Sequence, residues 1–154
     1  MFASYTGVQL AGARATLKDG FSKLSFVTLS LPTSINGAWL VAACSVQTCI
    51  ALKSFGMAEG TLQSVGAVLA GVATAGAVAM IMVYKDGAWG ATTIWALAAI
   101  AENNRSSYLA VWLTCVAGIC LVAVAIVGLA FRTARGFAYA RAGPPLAQFD
   151  ASAM

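Results

Sequence analysis

The chain contains no histidine, and its whole charge is nine basic and five acidic residues. Without an imidazole there is no His-ligated haem, no His-built zinc site and no His general base, which removes most redox and hydrolytic schemes. No nucleophile-and-base spacing, phosphate-cradling glycine loop or pair of carboxylates takes its place, so the expectation is a protein that is not an enzyme and has no metal site. Charged residues make up 9% of the sequence and hydrophobic ones 60%, with a mean hydropathy of +0.84, a balance that excludes a water-soluble domain of this size. The net charge of +4 comes without a basic patch interleaved with aromatics, so nucleic acid is not an expected partner. Every Asp, Glu, Lys and Arg falls outside the apolar stretches or at their ends, which argues against an ion or proton pathway lined by ionisable groups. The four cysteines add no metal chemistry. Cys44 and Cys49, like Cys115 and Cys120, are five apart, about 140° around a helix, and read as small buried packing residues.

What is present is four apolar stretches, and they predict an all-α integral membrane bundle of four transmembrane helices with both termini on the same side. The stretches are 35–52, after Pro32, Thr33 and Ser34; 61–84, ending at the tight turn Lys85-Asp86-Gly87; 87–104; and 107–131, closed by Arg132 and Arg135. The third stays apolar for only about 14 residues, roughly 21 Å of helix against roughly 30 Å of hydrocarbon. Charge decides in favour of its crossing. With four spans, Arg14, Lys18, Lys23, Lys85, Arg132, Arg135 and Arg141 share one side against Lys53 and Arg105 on the other. Three spans would lose that asymmetry. Trp39, Tyr84, Trp89 and Phe131 would form an interfacial belt near the basic side, and Phe55, Tyr108 and Trp112 one near the other.

Outside the domain at 35–131, residues 1–34 are acid-poor with apolar positions at helical spacing, as in an organelle transit segment or an amphipathic helix lying on the basic face. Residues 132–154, with Gly143-Pro144-Pro145, read as a basic, extended tail.

Packing and polarity within the spans supply the candidate binding residues. Ala67, Gly71, Ala75 and Ala79 recur every fourth residue, beside a second row of Gly66, Ala70 and Thr74, so one broad side carries little bulk. On the third stretch Ala88, Ala91, Thr92, Trp95, Ala98, Ala99 and Glu102 share a face, which places Trp95 against Gly71 or Ala75, with Arg105 as ion partner of Glu102. Gln47 lies mid-span, suited to an interhelical hydrogen bond. Any bound pigment metal would have to take oxygen from Gln47, Asn36, Glu102, a backbone carbonyl or water. The candidate cofactor-binding set is therefore Gln47, Asn36, Glu102, Trp95 and Gly71.

The segments SLPTSINGAWLVAACSVQTCIAL (30–52) and VYKDGAWGATTIWALAAIAENN (83–104) resemble the C-terminal half of tryptophan-rich sensory-protein-like, translocator-protein-related membrane proteins. Those have a Pro and Ser before a Trp-bearing span, then a basic turn leading to a span with an I-W-A-L core; Trp39 and Trp95 fit the pattern. The resemblance implies a helical bundle binding flat hydrophobic ligands, porphyrins or sterols.

Two functions are expected. The first is a non-catalytic accessory or scaffold subunit of a large energy-converting membrane complex, a photosynthetic supercomplex ahead of a respiratory one. Its partners would be membrane lipids and larger membrane-protein subunits, and its cofactors chlorophyll, carotenoid or lipid. The plastid thylakoid is the expected membrane, the mitochondrial inner membrane the next. The alternative is a stand-alone binder of a porphyrin or sterol.

Overall fold

The computed structural model describes residues 29–142. Four helices follow one another: α1 (Leu31–Ser54), α2 (Glu59–Tyr84), α3 (Gly87–Asn104) and α4 (Leu109–Ala142). Pro32 sits in the first turn of α1, where its fixed φ suits a helix and its missing N–H costs nothing. Three short links, at 55–58, 85–86 and 105–108, then reverse the chain. At the first, Gly56 adopts a φ of +77°, and at the second Lys85 caps α2 in the left-handed conformation with φ of 59°, its N–H donating to the Ile81 carbonyl at 3.1 Å. The Asp86 carboxyl, whose Oδ1 accepts from the Trp89 N–H at 3.0 Å, then starts α3. Capping chemistry on both sides of residue 85 therefore fixes where one helix ends and the next begins.

The helices pack as two sides around a central pair. α4 lies against both α2 and α3, and α1 lies against the same two helices on the opposite side. Buried apolar residues form two clusters along this arrangement. The first, near the α2–α3 turn, holds Ala38, Ala77, Met80, Ile81, Trp89 and Val122; the second holds Ala70, Leu97, Ala101, Val111 and Cys115. Only the first takes a residue from α1. In lipid, burial beside another helix gains no hydrophobic transfer energy, so contact depends on how closely the backbones approach. Gly90 permits one such approach: a Cβ there would stand 2.6 Å from Ile81 Cδ1 and 3.1 Å from Ile126 Cδ1. Hydroxyls inside the bundle are satisfied locally, Thr74 Oγ1 donating to the Ala70 carbonyl at 2.8 Å and Thr93 Oγ1 to the Trp89 carbonyl at 3.0 Å.

The chain is a membrane protein with transmembrane helices: α1, α2 and α4 are long and apolar enough to cross a bilayer. The expected boundaries shift at several ends. α1 starts at Leu31 rather than residue 35, and α4 runs through Arg132 and Arg135 to Ala142, so the first part of the expected extended tail is helical. The readings of residues 1–28 and 143–154 lie outside the described residues.

Side-chain directions correct several expectations. α3 buries Trp89, Gly90, Thr93, Ala96, Leu97 and Ala101, not the face that carries Trp95, and Trp95 is 62% exposed. On α2 the buried line runs through Ala70, Thr74, Ala77 and Ile81, whereas Ala75 and Ala79 are exposed. The reason is common to both helices: each carries two adjacent stripes of small residues, and the bundle uses the stripe whose neighbours are also bulky enough to fill the core. Trp89, assigned to an interfacial belt, is instead a core residue. Cys115 is buried, but Cys44 and Cys120 are exposed, and all four thiols are free. Glu102 and Arg105 make no ion pair among the described residues; only a backbone bond, Arg105 N–H to the Glu102 carbonyl at 3.5 Å, links them.

Candidate functional site: a cleft beside α1

α1 buries its side chains at one end. Its buried residues are Ser34, Gly37 and Ala38, all within its first turns, and nothing after Ala38 is buried. Two contacts hold this end. Ser34 Oγ donates to Asp86 Oδ2 at 2.6 Å, with the Ser30 carbonyl a second acceptor at 2.9 Å. Gly37 lies against the six-membered ring of Trp89, where an added Cβ would come within 2.5 Å of Cζ3. The same Asp86 carboxyl thus caps α3 with one oxygen and ties α1 with the other, and the Trp89 ring that α3 presents fills the notch left by Gly37.

Beyond this clamp α1 has no buried residue, though Cys49 Sγ still lies 3.9 Å from where a Cβ on Gly66 would stand, and a cleft of about 620 Å³, within the size range of small-molecule sites, lies between α1 and the α2–α3 pair. Towards the clamp it is lined by Ala38, Trp89 and Thr93, and its walls are small and apolar residues such as Ala42, Val46, Gly66, Ala70, Ala96 and Leu97. Along α1 the lining extends from Ala38 to Lys53, about 22 Å at 1.5 Å per residue. Polar side chains gather towards the far end: Gln63 from α2, Asn103 and Asn104 from α3, Tyr108 leading into α4, and Lys53 from α1. Asn104 Nδ2 donates to the Ile100 carbonyl at 2.7 Å. Lys53, Gln63 and Asn103 make no side-chain hydrogen bond to the described protein.

The outer surface of the α1–α3 contact has a second feature. Trp39 and Trp95 stack with ring centroids 5.0 Å apart and 28° between planes, beside a smaller hollow shared with Ile35, Ala91 and Thr92. Trp39 reaches the cleft from one side of this pair; Trp95 does not line it.

The sequence model of TSPO-like proteins matches residues 7–128. The chain belongs to the TSPO-like protein family. No curated protein and no solved structure matches it. In this TSPO-like chain, of the five residues expected to bind a cofactor, only Gln47 lines the cleft, and it does so from an exposed position on α1 without the interhelical hydrogen bond expected of it. Asn36 is exposed eleven residues earlier on the same helix, Glu102 is exposed at the end of α3, Gly71 is half-buried on α2 with open space around it, and Trp95 lies outside. The five do not converge. The polar group at the Lys53 end is not legible in the sequence because its members come from four different helices or their ends, and no spacing within one segment relates them. The clamp had a weak signal: an Asp immediately before Gly-Ala-Trp is a helix-capping residue, and capping fixes the direction of the Trp that follows.

Proposed function

We propose that this protein is a non-catalytic membrane receptor or carrier for a flat hydrophobic ligand, held in the cleft between α1 and the α2–α3 pair. Membership of the TSPO-like family supports a membrane protein that binds hydrophobic molecules. The observation that carries the reading is the cleft: a largely apolar volume of about 620 Å³, bounded by a helix whose buried residues all lie in its first turns. In this reading α3 crosses the membrane with the other three helices. The starts of α1 and α3 and the far end of α4 then share the side bearing Lys85, Arg132 and Arg135, and both termini lie there. Nothing in the fold or the family match supports the expectation of an accessory subunit of an energy-converting complex, and a porphyrin or sterol is the ligand class that fits better than chlorophyll or carotenoid held by Gln47, Asn36 and Glu102.

The test is binding to the purified chain in lipid nanodiscs, following quenching of tryptophan fluorescence by a porphyrin and competition by a sterol. Ala42, half-buried on the cleft wall, is the place to block it. Saturable binding that Ala42→Phe abolishes, with helical circular dichroism unchanged, is the expected result; binding indifferent to Ala42→Phe would remove the cleft from the function.

A further inference from the structure

Lys53 is the one charged residue among those lining the cleft, and it stands at the end opposite Trp89. A lysine in the last turn of a helix is ordinary, since it offsets the exposed carbonyls there. Two further observations go beyond that role. Amide side chains from the neighbouring helices, Gln63 of α2 and Asn103 of α3, line the same end, and neither they nor Lys53 are engaged in side-chain hydrogen bonds with the described protein. Lys53 and Asn103 are exposed and Gln63 is half-buried where they border the cleft, and polar groups left uncommitted at the rim of a largely apolar cleft fix the orientation and head chemistry of what it takes. An ammonium flanked by amide donors suits an acidic oxygen group and repels a cation.

We propose that the Lys53 end of the cleft is a headgroup site, and that the ligand is a single-bodied anionic amphiphile. Its apolar ring system or chain lies along the roughly 22 Å between Lys53 and Ala38, and its carboxylate pairs with Lys53 Nζ while Gln63 and Asn103 donate to the remaining oxygen lone pairs. This rests on the reading of the cleft as a ligand site and adds the chemical class and the polarity of insertion: apolar end towards Trp89, acid towards Lys53. A carboxylate rather than the phosphate of a bilayer lipid is the committed partner, because a cleft of about 620 Å³ is of the size that holds one compact small molecule.

The probes are 1-pyrenebutanoic acid and its methyl ester, which share the flat hydrocarbon body and differ in the charge of the head. Energy transfer from the cleft tryptophans to pyrene is titrated for the full chain in zwitterionic nanodiscs, with empty discs subtracted. The acid is expected to bind about five- to tenfold more tightly than the ester. Lys53→Gln should remove that preference while leaving ester affinity unchanged, Lys53→Arg should keep it, and Arg105→Gln, which changes a charge on the same side away from the cleft, should leave it intact. Equal binding of acid and ester to the unaltered chain overturns the headgroup site, as does a preference lost equally in Arg105→Gln, which would trace it to general surface potential. Loss of the acid's advantage in discs rich in phosphatidylglycerol hands the site to bilayer lipid and overturns the committed ligand. If neither pyrene compound binds, the cleft itself is not a ligand site and the broader function falls first.

Discussion

Gly37 and Trp89 meet so closely that their energetic coupling has a sign as well as a size. Building a methyl group on Gly37 places it 2.5 Å from Trp89 Cζ3 and 3.0 Å from Cη2, against an optimum of about 3.5–4.0 Å for carbon pairs. The indole must therefore retreat by about an ångström into the cluster of Ala77, Met80, Ile81 and Val122, and overpacking of that kind costs about 1–3 kcal/mol. Trp89→Ala is a different perturbation. The transfer component familiar from soluble proteins is largely absent, because lipid is as apolar as the core. What remains is the void: about 140 Å³ of lost side chain at about 24 cal/mol per Å³ gives about 3 kcal/mol if the site does not collapse. In the Trp89→Ala background the obstacle to Gly37→Ala has gone, and the substitution should then stabilise the helix by about 0.5–1 kcal/mol through propensity alone. The double-mutant cycle should accordingly give a coupling of about 2–4 kcal/mol, with Gly37→Ala changing from harmful to helpful. Denaturant titration of the full chain in micelles, followed by far-ultraviolet circular dichroism, measures all four corners. Costs that add to within about 0.5 kcal/mol would refute the notch-and-ring contact as the fastening of α1.

Three other perturbations probe the clamp and the faces. Ser34→Ala removes a buried donor from Asp86 and should cost about 1–3 kcal/mol in the same titration; Asp86→Ala should cost about 0.5–2 kcal/mol more, because it also loses the α3 cap. Trp95→Ala removes only the stacked pair with Trp39 and should cost no more than about 1.5 kcal/mol, so a loss of 3 kcal/mol or more would return Trp95 to the core. A β-branched side chain at Gly118 would collide with Thr74 Oγ1, whereas Gly71 has no atom within 4 Å of its would-be Cβ, so Gly118→Val should lower the melting temperature and Gly71→Val should leave it nearly unchanged.

Much of the architecture was legible because apolar stretch length and turn chemistry are local. The Lys85-Asp86-Gly87 turn, the start of α3 at Gly87 and its end at Asn104 all follow from residues adjacent in the chain. Which face of a helix turns inward is not local. Gly90 and Ala91 are both small, as are Thr92 and Thr93, so composition along α3 does not separate the stripe that meets Ile81 and Ile126 from the stripe that carries Trp95. The sequence singles out Trp95 as the large ring needing a gap; the ring that fills one is Trp89, six residues earlier and facing Gly37 across the bundle. The cleft was illegible for the same reason. Its polar end draws Lys53, Gln63, Asn103 and Asn104 together through the antiparallel alignment of helix ends, a relation that exists only once the helices are paired.

The placement of α1's attachment also sets where that helix can be prised away. Ser34, Gly37 and Ala38 are its only buried residues, so loss of the Ser34–Asp86 bond or of the Gly37–Trp89 contact leaves α1 tied to the bundle by half-buried residues and by the link at 55–58. Under the proposed function, a molecule seated between α1 and the α2–α3 pair would meet its stiffest boundary at Ala38 and Trp89 and its most yielding one along the rest of α1.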